Sequence, residues 1–270
     1  MKISHIVTNG CSFTYCQGLE QPSTQGWPAL LAHKFHSNLV NLGLPGVGND
    51  NIHRRTFEYV YKNLSESTDD AKPLFIIAWS QPWRREGWFN LRGQQYGVNI
   101  KGIEFKDYSI VSFPHENPQD NYERALLDNW NEEDFIRKTL LYTLSLMNLF
   151  ENQRIPYIMT NYAAYSDNKD IVDQVASKFP EIYNAVHNEN KVQDLHELVY
   201  GYPKLPCGHD GEDAQITIAN YLHHRINELY PNLEFSKNSS YLPLDKFAKG
   251  QKYSQKFPEW YKFKSNIDTI

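Results

Sequence analysis

Long apolar runs are absent from this 270-residue sequence, and nothing in it approaches the roughly 18–20 consecutive apolar residues of a membrane span. The opening Met1-Lys2-Ile3-Ser4-His5 lacks the apolar stretch of a secretory signal, so a cytoplasmic protein is expected. Cysteine is scarce. Cys11, Cys16 and Cys207 form an odd set in a chain long enough to build a core, which argues for free thiols in a reducing compartment rather than a disulfide framework. There is no internal repeat and no low-complexity tract, and charge of either sign is modest: 27 Lys+Arg against 32 Asp+Glu, net -5. That balance excludes a whole-surface nucleic-acid footprint. Phosphate-binding G-x-x-x-x-G-K-[ST] is missing, and the glycine-rich stretch from Gly43 to Gly48 reads G-x-x-G-x-G rather than the dinucleotide G-x-G-x-x-G. The G-x-S-x-G elbow of the α/β-hydrolases is missing too.

What is present, 40% hydrophobic and 14% aromatic residues, belongs to an ordinary globular protein of one large domain. Apolar runs at Ile3–Thr8, Leu39–Leu42, Leu74–Trp79 and Pro156–Thr160 read as strands. Between them lie segments with helical spacing: Trp27, Leu30, Leu31 and Phe35; then Ile52, Thr56, Tyr59, Val60 and Leu64. The longest helix is expected to open at Asn131, with Glu132, Glu133 and Asp134 in its first turn and Phe135, Ile136, Leu140, Leu144, Met147 and Phe150 on one face. Continuous apolar strands alternating with helices predict an α/β fold, a three-layer α/β/α sandwich with a mainly parallel, flavodoxin-like sheet. The expected domain covers residues 1–230. It carries a lid-like insertion at 83–131, with a hairpin of Trp88–Leu91 and Tyr96–Ile100 around Arg92-Gly93, and is followed by a tail at 231–270.

In such a sheet, ligands bind beyond the carboxyl ends of the strands. Three turns there stand out. Asn9-Gly10-Cys11-Ser12-Phe13-Thr14 puts a hydroxyl in a sharp turn after the first strand, where a serine oxygen could attack. The turn through Gly46 lets backbone N–H groups approach a ligand, and Trp79-Ser80-Gln81-Pro82 offers hydroxyl or amide donors. A base appears in Pro206-Cys207-Gly208-His209-Asp210, ahead of a helix carrying Ile216, Ala219, Leu222 and Ile226.

These blocks resemble the SGNH hydrolases, also called GDSL-type esterases and lipases. Gly10-Cys11-Ser12-Phe13-Thr14 is similar to the family's first block, and Asn41-Leu42-Gly43-Leu44-Pro45-Gly46 to its second. His209, Ala214 and Ala219 keep the register of its last block. The resemblance implies Ser12 as nucleophile and His209 as base, an oxyanion hole from the N–H groups of Ser12 and Gly46, and no cofactor. Two departures stand against it. The third block's Asn is replaced by the choice of Gln81 or Ser80, and the family's Asp three residues before the histidine is Pro206. In a serine protease triad, losing that carboxylate's role costs ~10⁴ in turnover. Three readings stay open: a Ser–His dyad with a backbone carbonyl orienting the imidazole, a substitute acid such as Asp210 or Asp213, or a weakened or lost activity.

Each residue also has a plainer role. A turn serine commonly caps a helix, a helix-start histidine commonly caps or faces water, and Gly46 can be turn chemistry alone. Cys11, Cys16, Cys207 and His209 would make a zinc set only if they converged; as separate residues the cysteines are small buried hydrophobes, and no metal is expected. Trp79, Arg84 and Trp88 are expected to bind substrate. Trp83, Phe89, Tyr96 and Arg85 either join them in a cleft suited to sugars and carboxylates or form a satellite core. From Phe235 onward seven lysines face three acids, and Lys246, Lys249, Lys252, Lys256, Lys262 and Lys264 alternate with Phe247, Tyr253, Phe257, Trp260, Tyr261 and Phe263. That tail could stack on single-stranded nucleic acid. Docking on its own domain or on a second copy, as a homo-oligomer, is the preferred reading. The expected function is hydrolysis of a small-molecule ester, with O-acylated carbohydrate the favoured class; the alternative is a non-catalytic binding or assembly module that uses the tail.

Overall fold

The computed structural model describes residues 1–64, 71–87, 131–162, 169–189 and 194–236, with short strands at 98–100, 103–105 and 109–111. In chain order the elements are β1 (Lys2–Gly10), α1 (Ser12–Tyr15), α2 (Pro22–Gln25), α3 (Trp27–Lys34), β2 (Asn38–Asn41), α4 (Asn49–Leu64) and β3 (Lys72–Trp79). Then follow β4 (Arg85–Gly87), β5 (Val98–Ile100), β6 (Ile103–Phe105), β7 (Ser109–Val111), α5 (Glu132–Asn152) and β8 (Tyr157–Asn161). The last are α6 (Lys169–Lys178), α7 (Pro180–Glu189), α8 (Leu195–Leu198), α9 (Glu212–Leu229) and β9 (Glu234–Phe235).

The central sheet runs β2-β1-β3-β8, every pairing parallel, with β9 added to β1. Thr8 lies beside Asn41, Gly10 beside Ala78 and Trp79 beside Asn161, so all four main strands end at one edge. Counted among these strands alone, the order is the 2-1-3-4 of a flavodoxin-like sheet.

The period-two rule of a strand explains the layers. Leu74, Ile76 and Ala78 of β3 face one core with Trp27, Leu31, Ile218, Leu222 and Ile226, from α3 and α9. Phe75, Ile77 and Trp79 face the other, with Ile52, Val60, Leu146, Met147 and Phe150, from α4 and α5. Both faces of the sheet are therefore covered, and its strands need no polar side. Full burial of a residue such as Phe150 or Leu146 is worth about 1.5–3 kcal/mol. The α5 start matches its sequence signal: the Asn131 side chain accepts from the Asp134 N–H at 3.1 Å, and three acids occupy the positive end of the helix dipole.

Two features add to the expected elements. Residues 98–100 pair antiparallel with 103–105, and Arg85–Gly87 pairs with Ser109–Val111. The expected turn at Arg92-Gly93, like Trp88, Phe89 and Tyr96, lies outside the described residues. Beyond residue 230 the chain adds β9 to the sheet, where Glu234 N–H donates to the Met1 carbonyl at 2.9 Å and Ser236 N–H to the Ile3 carbonyl at 2.8 Å. The basic aromatic stretch from 237 onward is outside the described residues. Among the described residues, no helix is long and apolar enough to cross a membrane.

Candidate active site

The Ser12 turn is built by close backbone approach. A Cβ on Gly10 would overlap Thr14 Oγ1 and come within 2.8 Å of the Ala78 carbonyl. Asn9 Oδ1 accepts from the Gly10 N–H at 2.9 Å, and its Nδ2 donates to the Ile52 carbonyl and Thr56 Oγ1, both at 2.9 Å, which ties α4 to the end of β1. One helical turn follows, with the Thr14 and Tyr15 N–H groups bonded to the Cys11 carbonyl. Cys16 ends it in a left-handed conformation, φ 64. Ser12 is the first residue of that turn, so its N–H has no intrahelical acceptor. Its side chain is buried.

The second turn is stapled to the first. Asn41 Nδ2 donates to the Thr14 carbonyl at 2.9 Å while its Oδ1 accepts from the Gly43 N–H at 2.9 Å. Leu44 N–H donates to the Gly10 carbonyl at 3.1 Å. Gly46 has φ +76 with open space around the position a Cβ would take, so its conformation, not crowding, calls for glycine. A Cβ on Gly48 would overlap the Arg84 carbonyl, which places the third turn directly on the second.

That third turn is gripped by a residue the sequence reading did not single out. Buried Asn49, the first residue of α4, accepts from the Ser80 N–H at 2.8 Å and donates to the Ser80 carbonyl and Thr139 Oγ1, each at 3.0 Å. Its only sequence signal is an amide beside a glycine at a helix start. Ser80 Oγ, Trp79 Nε1 and Arg84 Nη1 are buried, with no hydrogen-bond partner among the described residues. Trp79 packs its ring in the core, and Gln81 is half-buried with its carbonyl accepting from the Arg84 N–H at 3.2 Å. Trp88, the remaining expected substrate contact, lies outside the described residues.

His209 is carried by a three-residue loop. Leu205 N–H donates to the His209 carbonyl at 2.7 Å and Gly208 N–H to the Leu205 carbonyl at 2.8 Å. Gly208 takes φ +80. Pro206 stands at the second position of this turn, where a fixed φ is favoured. His209 Nδ1 lies 3.2 Å from the Cys207 carbonyl. A carbonyl only accepts, so in the neutral ring this contact puts the proton on Nδ1 and leaves Nε2 free to accept. The imidazole rests on Phe13, ring centroids 4.8 Å apart, and Phe13 stacks on Tyr162 at 4.6 Å. The residue after Ser12 thus supports His209. Among the described residues no hydrogen bond joins Ser12 Oγ to His209.

The acid beside the histidine is committed elsewhere. The fully buried Asp210 carboxylate accepts from Tyr162 OH on one oxygen and from Lys204 Nζ on the other. The sequence reading missed Tyr162 and Lys204, since nothing local marks their shared partner. Burial pushes the His209 pKa below 6.5; the Cys207 carbonyl and the Asp210 charge act against that, while Arg84 and Lys204 reinforce it. Burial, then Asp210, pushes the Tyr162 phenol well above its usual range. Asp213 lies in the first turn of α9 and is exposed.

The cysteines do not converge. Cys11 packs with the α4–α5 core and Cys16 with the α3–α9 core, its Sγ 3.4 Å from Gln215 Oε1, whereas Cys207 is exposed. Among the described residues no group of three or more His, Cys, Asp or Glu could hold a metal.

A family model described as a family of unknown function (DUF6071) matches residues 17–183. The chain belongs to this family. No curated protein matches. Among solved structures it is similar to TesA, with 14% identity, TM-score 0.49, covering 85% of this chain and 99% of that one. It is also similar to a lipolytic protein of the G-D-S-L family from Veillonella parvula, 14% identical over 86% of this chain and 100% of that one, TM-score 0.43. A carbohydrate esterase described as having divergent catalytic and non-catalytic binding functions is 16% identical, over 84% of this chain and 66% of that one, TM-score 0.46.

Proposed function

We propose that this DUF6071 chain is an SGNH-like serine ester hydrolase acting on a small-molecule ester. The observation that carries the reading is the seating of His209: its ring lies 4.8 Å from that of Phe13, the neighbour of Ser12, with Nδ1 on the Cys207 carbonyl. Ser12 Oγ attacks the acyl carbon as His209 Nε2 takes its proton, and the N–H groups of Ser12 and Gly46 hold the developing oxyanion, with Gln81 or Ser80 assisting. The ester C–O bond then breaks. His209 returns the proton to the leaving alcohol, and water releases the acyl group by the same route. The Cys207 carbonyl takes over the orienting role of a triad carboxylate. No cofactor enters these steps. O-acylated carbohydrate is the favoured substrate class, on the sequence of the insertion.

The test is hydrolysis of short-chain p-nitrophenyl esters together with fluorophosphonate labelling. Ser12→Ala should abolish both, and His209→Ala should lower turnover by on the order of 10³ or more. Wild-type protein that neither labels nor outpaces Ser12→Ala would sink this reading. One observation favours a non-catalytic binding module instead: the only carboxylate next to His209 in sequence is bound to Tyr162 and Lys204, not to the imidazole. Inertness towards the label would therefore move the assignment to that second reading.

A further inference from the structure

Arg84 follows β3 at the ligand-binding edge of the sheet, with its carbonyl against Gly48. It is half-buried, and its buried Nη1 has no hydrogen-bond partner among the described residues. A buried donor without an acceptor costs free energy, the more so on a charged group. Two further buried polar atoms near the same strand end, Trp79 Nε1 and Ser80 Oγ, also lack partners among the described residues. The indole and guanidinium nitrogens can only donate, and the hydroxyl can do so. Trp79 packs in the α4–α5 core, so of the three it is the half-buried, charged Arg84 guanidinium that a ligand oxygen can reach. The Arg84 charge is felt at His209, so the guanidinium lies within electrostatic reach of the proposed base.

We propose that Arg84 receives an anionic oxygen group of the substrate, a carboxylate or a phosphate, carried next to the ester bond. The placement of the ester rests on the hydrolase reading; the anion site itself does not. A guanidinium meets either group through two parallel N–H···O bonds, which selects for charge and orientation together. The preferred substrates are thus acid-bearing esters, such as an acylated sugar acid or a half-ester of a dicarboxylic acid, rather than neutral ones.

The experiment compares p-nitrophenyl hemisuccinate with p-nitrophenyl butyrate, acyl groups of equal chain length of which only one carries a carboxylate. The wild-type protein should favour the hemisuccinate in kcat/KM by roughly tenfold or more. That ratio should collapse in Arg84→Gln and persist in part in Arg84→Lys, with the thermal midpoints of both variants showing them folded. A wild-type ratio near one, or a ratio indifferent to Arg84→Gln, would overturn the inference and leave the hydrolase reading standing. If neither ester turns over, calorimetric titration of the wild type and Arg84→Gln with succinate, and separately with inorganic phosphate, decides the matter. Arg84-dependent binding of either anion upholds the anion site while the hydrolase reading falls, and the anion that binds identifies the group. Binding of neither overturns both.

Discussion

The Ser12 turn and the His209 loop meet at Phe13 but are held in place by different means. Around Ser12 the fit is of backbone on backbone: Gly10 and Gly43 leave no room for a Cβ, and the Asn41 amide bridges the two turns within hydrogen-bond distance. Around His209 the loop hangs on side chains, because Asp210 draws Lys204 and Tyr162 onto one buried carboxylate. The first arrangement tolerates no added volume, and the second no lost charge. Positioning the proposed nucleophile and base therefore exposes this site to two separate kinds of failure.

The largest expected effect is on the side-chain half. Asp210→Ala strands the Tyr162 hydroxyl in the core and leaves Lys204 without its carboxylate. Removing one partner of a buried charge pair costs roughly 3–5 kcal/mol. Because Lys204 is 34% exposed, water recovers part of that, and a loss of about 2–4 kcal/mol is expected in urea unfolding. Asp210→Asn should lose less, since its amide oxygen can still accept from Tyr162. Equal losses in the two variants would mean that the charge, which both remove, holds the loop and that the acceptor for Tyr162 adds nothing. On the backbone half, Gly10→Ala should cost about 1–3 kcal/mol through overpacking against Thr14 and the Ala78 carbonyl. Gly46→Ala has open space and only its φ of +76 to oppose it, so about 1 kcal/mol is expected. Finding Gly46 the more sensitive of the two would show that conformation, not close approach, shapes these turns.

The same division explains what could be read from the sequence. The strands β1, β2, β3 and β8, the α5 start at Asn131 and the Ser12 and Gly46 turns are local in cause, so runs of apolar residues, caps and glycines announce them. The Asp210 cluster joins side chains 48 positions apart, and Asn49 reaches Ser80 across 31. No periodicity reports such partnerships. Pro206 looked like a lost acid in the sequence; in the fold it is a turn residue that lets the Cys207 carbonyl reach Nδ1. The β9 strand escaped notice because two residues carry no period, and its pairing with Lys2 and Ile3 depends on the whole intervening chain.

The smallest expected effect is a displacement along the pH axis, and it tests whether the two halves work as one site. In the proposed mechanism His209 must be neutral at Nε2 to accept the Ser12 proton, so kcat/KM should fall as pH drops through the His209 pKa. Burial first, then the Arg84 and Lys204 charges, hold that pKa below 6.5, so the acidic limb should lie on the acid side of an ordinary histidine. Arg84→Gln removes one of the positive charges, which favours the imidazolium. The limb should move up towards 6.5, and at a fixed mildly acidic pH the variant should retain a smaller share of its own maximal rate than the wild type does. The shift is read from the pH profile with the neutral butyrate ester, whose binding involves no anion, so it is separable from any change in substrate preference. A limb that stays in place would show that Arg84 does not act on the histidine electrostatically. A limb at or above 6.5 in the wild type would mean that the group titrating in the reaction is not the half-buried imidazole resting on Phe13.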